Sequence, residues 1–217
     1  MKRGVASSAL AVVTTLCFGG SALGQVTLLD TGRYGGVQLP PAIEGSRWLT
    51  LCRTPAGAEL RATSVTLRPF FQEIAGDKPG QKSGREVRAS GCKKVLALIS
   101  DSALQTGPVR DAQIEQDGIR FAGSHFGIRS SEASTAGDVP ARLHLQTPQG
   151  AVLLIENTEG GAIEYKIRWA GDLDNDGGLD LVVEEQDDGT RVYLFLSRSK
   201  PVNGRWAPAA ITYRGGC

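Results

Sequence analysis

The chemistry legible in this chain is concentrated in one stretch, Gly171-Asp-Leu-Asp-Asn-Asp-Gly-Gly-Leu-Asp-Leu-Val-Val183. Carboxylates at alternate positions, Asp172, Asp174 and Asp176, converge on one hard cation when the backbone wraps around it, and Gly177 permits the tight bend. A backbone carbonyl near Gly178 joins the shell and Asp180 closes it from the other side. Four carboxylates, a carbonyl and water satisfy the roughly 6 to 8 oxygen ligands that Ca²⁺ takes. No His or Cys lies within the stretch, which disfavours zinc and copper. The expected cofactor is therefore Ca²⁺, with Asp172, Asp174, Asp176, Gly178 and Asp180 as the metal site. Glu184, Glu185, Asp187 and Asp188 read as a solvated hairpin tip beyond it.

An EF-hand is excluded, because the twelfth position from Asp172 must carry a bidentate Glu and is Val183, and because the flanking segments alternate like strands. The strand-like flanks and the single copy exclude a dockerin module. The stretch resembles the D-x-D-x-D-G-x-x-D-L loop of FG-GAP repeats, the integrin α-type or VCBS-like family, and that resemblance implies calcium held in a β-hairpin loop. It covers about a dozen residues. No Phe-Gly precedes the loop at short range, no Gly-Ala-Pro follows Val183, and one copy cannot make a propeller of at least four blades. More loosely, Trp169 to Asp172 and Leu194 to Ser197, with a terminal Gly-Cys, are similar to bacterial secreted proteins that carry a lone loop of this kind.

Catalytic motifs do not emerge. Ser124-His125 joins a nucleophile to a base, but it is not a Gly-x-Ser-x-Gly elbow and no strand-to-helix pattern surrounds it. His144 alternates with Arg142 and Gln146 on the polar side of a strand, as a surface histidine would. Gly76 to Ser83 approaches a phosphate loop, yet Gln81 stands where Gly should precede Lys82, and a strand pattern follows. Two acids brought together by the fold remain the route to a glycosidase.

Charge and cysteines set the compartment. The 217 residues hold 24 Lys+Arg against 23 Asp+Glu. That balance argues against a nucleic-acid partner, since neutralising phosphates requires a surplus of basic residues. Lys2 and Arg3, the apolar run from Val5 to Phe18, and the small residues Ala22 and Gly24 form a signal peptide over 1–24, cleaved before Gln25. The protein is expected to be secreted or periplasmic, with no transmembrane segment after cleavage. Eight of the acids fall between Asp172 and Asp188, where no basic residue occurs. The remainder is basic, most clearly between Arg47 and Arg110. Of the cysteines left after cleavage, Cys52 and Cys92 lie at the ends of apolar runs and are the preferred disulfide, although spacing alone also permits either to pair with Cys217.

The elements that must position the loop are strands. In Ile163-Glu-Tyr-Lys-Ile-Arg-Trp169, Ile163, Tyr165, Ile167 and Trp169 share one face and the charged residues the other. Val192, Leu194 and Leu196 alternate with Tyr193 and Phe195, so that strand is apolar on both faces and central. Turn signals at Pro148 to Gly150, Glu159 to Gly161, Asp188-Gly189 and Asn203-Gly204 divide the last part into a meander of about six strands. Earlier strands are expected at Val26–Leu29, Trp48–Arg53, Glu59–Arg68, Glu86–Ala89, Lys94–Ser100 and Gly118–Phe121. A polar run between Arg129 and Pro140 separates an N-terminal β region, 25–135, from a C-terminal β-meander, 136–217. The expected fold is an all-β antiparallel sandwich or meander with a calcium hairpin loop. Its expected role is that of an exported, non-catalytic binding or envelope module with an envelope, protein or glycan ligand. The alternative is a calcium-dependent secreted hydrolase acting on glycan or peptide.

Overall fold

A computed structural model of the chain describes residues 26–35, 38–40, 43, 46–72, 78–132, 139–158 and 162–215. The expected signal peptide and Cys217 lie outside the described residues, as do the turn at Glu159 to Gly161 and part of the Gly76 to Ser83 segment. Among the described residues the protein is all β, without a helix. In chain order the strands are β1 (Thr27–Leu29), β2 (Gly32–Tyr34), β3 (Trp48–Thr54), β4 (Gly57–Thr63), β5 (Val65–Phe70) and β6 (Gly84–Ala89). Next come β7 (Val95–Ser100), β8 (Gly107–Pro108), β9 (Arg110–Asp111), β10 (Gln113–Ile114), β11 (Gly118–Phe121) and β12 (Ser124–Ser131). The last six are β13 (Ala141–Thr147), β14 (Gly150–Asn157), β15 (Glu164–Asp172), β16 (Asp180–Gln186), β17 (Thr190–Phe195) and β18 (Ala210–Arg214).

These strands form four antiparallel sheets: I, in the order β2-β6-β5; II, β1-β7-β3-β4-β8; III, β18-β17-β16-β15-β9; and IV, β10 to β14 in sequence order. Three apolar layers lie between them. Leu29, Trp48 and Leu98 of sheet II meet Tyr34, Val87 and Leu67 of sheet I. Leu49, Leu51, Leu60 and Ile99 on the opposite face of sheet II meet Trp169, Val182, Val192 and Leu194 of sheet III. Leu181, Val183 and Phe195 on the far face of sheet III meet Ile119, Leu143, Leu145 and Leu154 of sheet IV. The four sheets therefore stack face to face, and no closed barrel or propeller is formed among the described residues.

This layering explains the doubly apolar strands. Sheets II and III are covered on both sides, so β3, β7, β16 and β17 read as continuous hydrophobic runs rather than alternating ones. The alternation of β17 is realised as expected, with Val192 and Leu194 in the II–III layer and Phe195 in the III–IV layer. The expectation for β15 is corrected. A β-bulge interrupts its pairing with β16, so that Ile167 faces Val183 while Trp169 faces Val182. The extra residue turns Trp169 into the II–III layer, whereas Tyr165 and Ile167 pack in the III–IV layer. The bulged Arg168 sends its guanidinium to Asp30, at 2.9 Å, and to Glu184.

The meander is also distributed differently. β13 and β14 close a separate meander, β10 to β14, in sheet IV, and β15 to β18 form their own in sheet III. β9 joins the edge of that meander by pairing with Gly171 and Asp172. Asp111 in β9 fastens sheet III to sheet II: its Oδ1 accepts from Trp169 Nε1 at 2.6 Å, and its Oδ2 accepts from Arg53 and from the Ala58 amide, each at 2.8 Å. The single strand expected over Glu59–Arg68 is two, because the chain passes from sheet II to sheet I at Ser64. β12 and β13 pair across the polar run, of which 133–138 lie outside the described residues. Cys52 and Cys92 form the expected disulfide, Cα atoms 5.8 Å apart, between β3 and the approach to β7.

Candidate metal centre

The acidic loop leaves sheet III at the end of β15 and returns at the start of β16, closed by the pair Gly171 and Asp180. Its apolar residues pin it from both sides, Leu173 in the II–III layer and Leu179 in the III–IV layer. Asn175 and Gly177 adopt φ of 60° and 83°, the left-handed region that reverses the chain. Between these anchors Asp172, Asp174 and Asp176 turn toward one another, with one oxygen from each within 4.8 Å of the others.

The hydrogen bonds sort the carboxylates into two jobs. Asp180 is fully buried and braces the loop. Its Oδ2 accepts from the Leu173 amide at 2.6 Å, and its Oδ1 accepts from the Ser197 amide at 2.7 Å and lies 2.9 Å from Ser197 Oγ. It does not belong to the converging trio. Asp172 is 5% exposed; its Oδ2 accepts from the Gly177 amide at 3.0 Å, while its Oδ1 is buried and meets no donor. Asp174 Oδ1 is likewise buried without a donor. Asp176 is exposed and accepts from the Gly178 amide at 2.7 Å, and Ser197 Oγ lies 2.8 and 2.9 Å from its two oxygens. Gly178 must remain glycine, since a Cβ there would collide with Ser197.

Electrostatics follow from this crowding. Burial, with Asp176 close by, raises the Asp174 carboxyl above the usual carboxylate range. Burial pushes Asp180 up to about 7, against the donors that favour its ionised form. Two buried acceptors without donors, beside a third carboxylate, are what a hard cation would satisfy, because an orphaned buried acceptor costs about 1–3 kcal/mol. The all-oxygen donor set is of the kind that hard divalent cations take.

Partners from distant sequence complete the loop, and local spacing gave no sign of them. Ser197 comes from the turn after β17. Arg198 lies 3.5 Å from Asp174 Oδ2 through Nη1 and ion-pairs with Asp101 at the end of β7. The expectation of a solvated tip at Glu184 to Asp188 is corrected in part. Glu185 is 1% exposed, bonded to Asn157 Nδ2 at 2.9 Å, Arg191 Nη1 at 2.8 Å and Tyr193 OH at 3.1 Å. Glu184 pairs with Arg168 and Asp187 with Arg191. Arg168 and Arg191 of the neighbouring strands, absent from the acidic stretch itself, pair with three of the four acids of its second half.

The remaining candidates stay apart. Ser124 and His125 are successive residues of β12 and project to opposite faces. His125 instead lies 3.9 Å from Glu115 and 3.8 Å from Asp117, a surface group whose Glu115 is already taken by Arg120 Nε at 3.0 Å. His144 sits in β13 opposite Arg129. Comparison of the chain with protein-family models, with curated proteins and with solved structures finds no match.

Proposed function

We propose that this chain is an exported, non-catalytic β module whose loop at Asp172, Asp174 and Asp176 binds Ca²⁺, the ion fixing the β15–β16 turn and hence the central sheet III. The observation that carries this reading is the pair of buried oxygens without donors, Asp172 Oδ1 and Asp174 Oδ1, in a trio of converging carboxylates. The likeness of the loop to the FG-GAP calcium loop supports it. Asp180 has a bracing role, its two oxygens being held by Leu173 and Ser197. Export is supported by the Cys52–Cys92 disulfide, which persists in oxidising compartments, together with the signal-like pattern of 1–24. No helix among the described residues is long and apolar enough to cross a membrane.

The ion would act as a staple. It would neutralise charge that burial disfavours and hold β15 against β16 in the sheet covered on both faces, so the stacked sheets would present a fixed outer surface to an envelope, protein or glycan ligand. Calorimetric titration of the mature chain with Ca²⁺ tests the site. One site is expected, lost in Asp172→Asn and Asp174→Asn; a wild-type chain that takes up no Ca²⁺ at millimolar concentration refutes it.

A further inference from the structure

Arg198 follows β17 and stands between carboxylates of two sheets. One side of its guanidinium ion-pairs with Asp101 Oδ2, on a side chain 2% exposed whose Oδ1 accepts from the Ala103 amide at 2.9 Å. The other side reaches Asp174, Nη1 lying 3.5 Å from Oδ2. The first contact is tight and the second loose. Asp174 Oδ1 still has no donor. Asp101 thus holds a positive charge against one of the three residues that converge in the acidic loop, and it does so from sheet II, across the layer that joins sheets II and III.

We propose that Arg198 is a built-in competitor for the cation, a guanidinium that Asp101 positions beside Asp174 so that a divalent ion enters against a fixed positive charge. This rests on the reading of the trio as a cation site. Two consequences of the geometry act in the same direction. The guanidinium repels a doubly charged ion seated on the trio, and it offsets the mutual repulsion of the carboxylates when no ion is present. Both lower affinity. A residue that merely oriented Asp174 for ligation would have the opposite effect, since removing it would loosen a ligand and weaken binding. The sign of the change therefore separates competition from support. Because Arg198 is anchored on Asp101, occupancy of the loop is also coupled to the contact between sheets II and III, and the affinity is set by a residue that no metal-loop pattern contains.

The test is calorimetric titration with Ca²⁺ of the wild-type chain, Arg198→Met and Arg198→Lys at one ionic strength. Arg198→Met, which keeps much of the stem without the charge, should bind about ten-fold more tightly, the effect of removing one positive charge a few ångströms from a divalent ion in high dielectric. Arg198→Lys should stay within about three-fold of wild type. If wild type binds and Arg198→Met binds equally or more weakly, or if Arg198→Lys tightens as much as Arg198→Met, the competition is refuted and the cation site stands. If none of the three binds, the cation site falls and the inference with it. Binding by Arg198→Met alone supports the competition. Should Arg198→Met not fold, the ¹⁵N resonance of the Arg198 Nε–H in the wild-type chain provides the second measurement. It should shift in proportion to Ca²⁺ occupancy, and a resonance unmoved at saturation overturns the proposal.

Discussion

Asp174→Asn changes one atom and is expected to reverse sign with the solvent. Burial and Asp176 hold the Asp174 carboxyl above its ordinary range, so its charge is a net cost to the metal-free fold. Replacing it with a neutral amide removes that cost and offers N–H donors to the buried Asp172 Oδ1, which has none. In EDTA the variant should therefore melt at or above the wild-type temperature. In Ca²⁺ the order should invert. For a site with a dissociation constant of about 10–100 μM, about 2 mM Ca²⁺ stabilises the wild-type fold by about 2 to 3 kcal/mol through mass action. A chain of this size shifts its melting temperature by roughly 2–4 °C per kcal/mol, so wild type should gain about 5 to 10 °C from the ion and the variant close to none. Scanning calorimetry of both proteins in both buffers gives the four values. Parallel losses by the variant in EDTA and in Ca²⁺ would show ordinary structural damage, and identical wild-type curves in the two buffers would remove the cation from the argument altogether.

The same geometry sets three further outcomes. Removing the disulfide with Cys52→Ser and Cys92→Ser opens a loop of sequence separation 40, which in the chain-entropy model costs about 4 kcal/mol; a loss below about 1 kcal/mol in urea unfolding would show that sheet II holds this loop without it. Gly177 has φ of 83° with open space where a Cβ would stand, so Gly177→Ala should cost only the backbone term, about 1–2 kcal/mol, whereas Gly178→Ala, which meets Ser197, should cost more and weaken Ca²⁺ binding. Asp180, raised to about 7 by burial, binds a proton in the fold that the unfolded chain releases near pH 4. Its contribution to stability therefore falls as pH rises from about 4 to 7. Glu156, lowered by Arg142 and Arg205, and Asp187, lowered against its burial by the Gly189 amide and by Arg191, act only below that window. In EDTA the protein should melt higher at pH 5.5 than at pH 7.5, and the Ca²⁺-induced gain should be larger at pH 7.5. A metal-free melting temperature that climbs steadily through this window contradicts the burial argument.

What the sequence shows and what it hides divide along the range of the interactions. Alternation and turn residues are local, and they located β1, β3, β6, β7 and β11 to within two residues and the doubly apolar β17 whose two faces enter different layers, while the eight-residue β12 was not among the expected strands. The short strands β2, β8, β9 and β10 have too few residues to show a period, and their pairing is decided by the neighbours that need an edge covered. The bulge in β15 is invisible for a related reason. Arg168 reads as one more polar residue on an outward face, yet an ion pair with Asp30 and Glu184 draws it into the strand and reverses the face of Trp169. The candidate site divides in the same way. Asp172, Asp174 and Asp176 converge through a loop whose spacing states its geometry, so their convergence was legible. Asp180 has the same spacing logic but its oxygens are claimed by amides, one of them from Ser197 in the turn after β17. Its burial therefore makes it a brace within the loop that the other three form. Arg198 and Asp101 are separated by 97 positions; the pairing of β17 with β16 brings Arg198 to the loop, and the stacking of sheet II on sheet III supplies the Asp101 that anchors it. The residues expected to hold the ion are thus written in one short stretch, while those expected to set how tightly it is held are distributed through the fold.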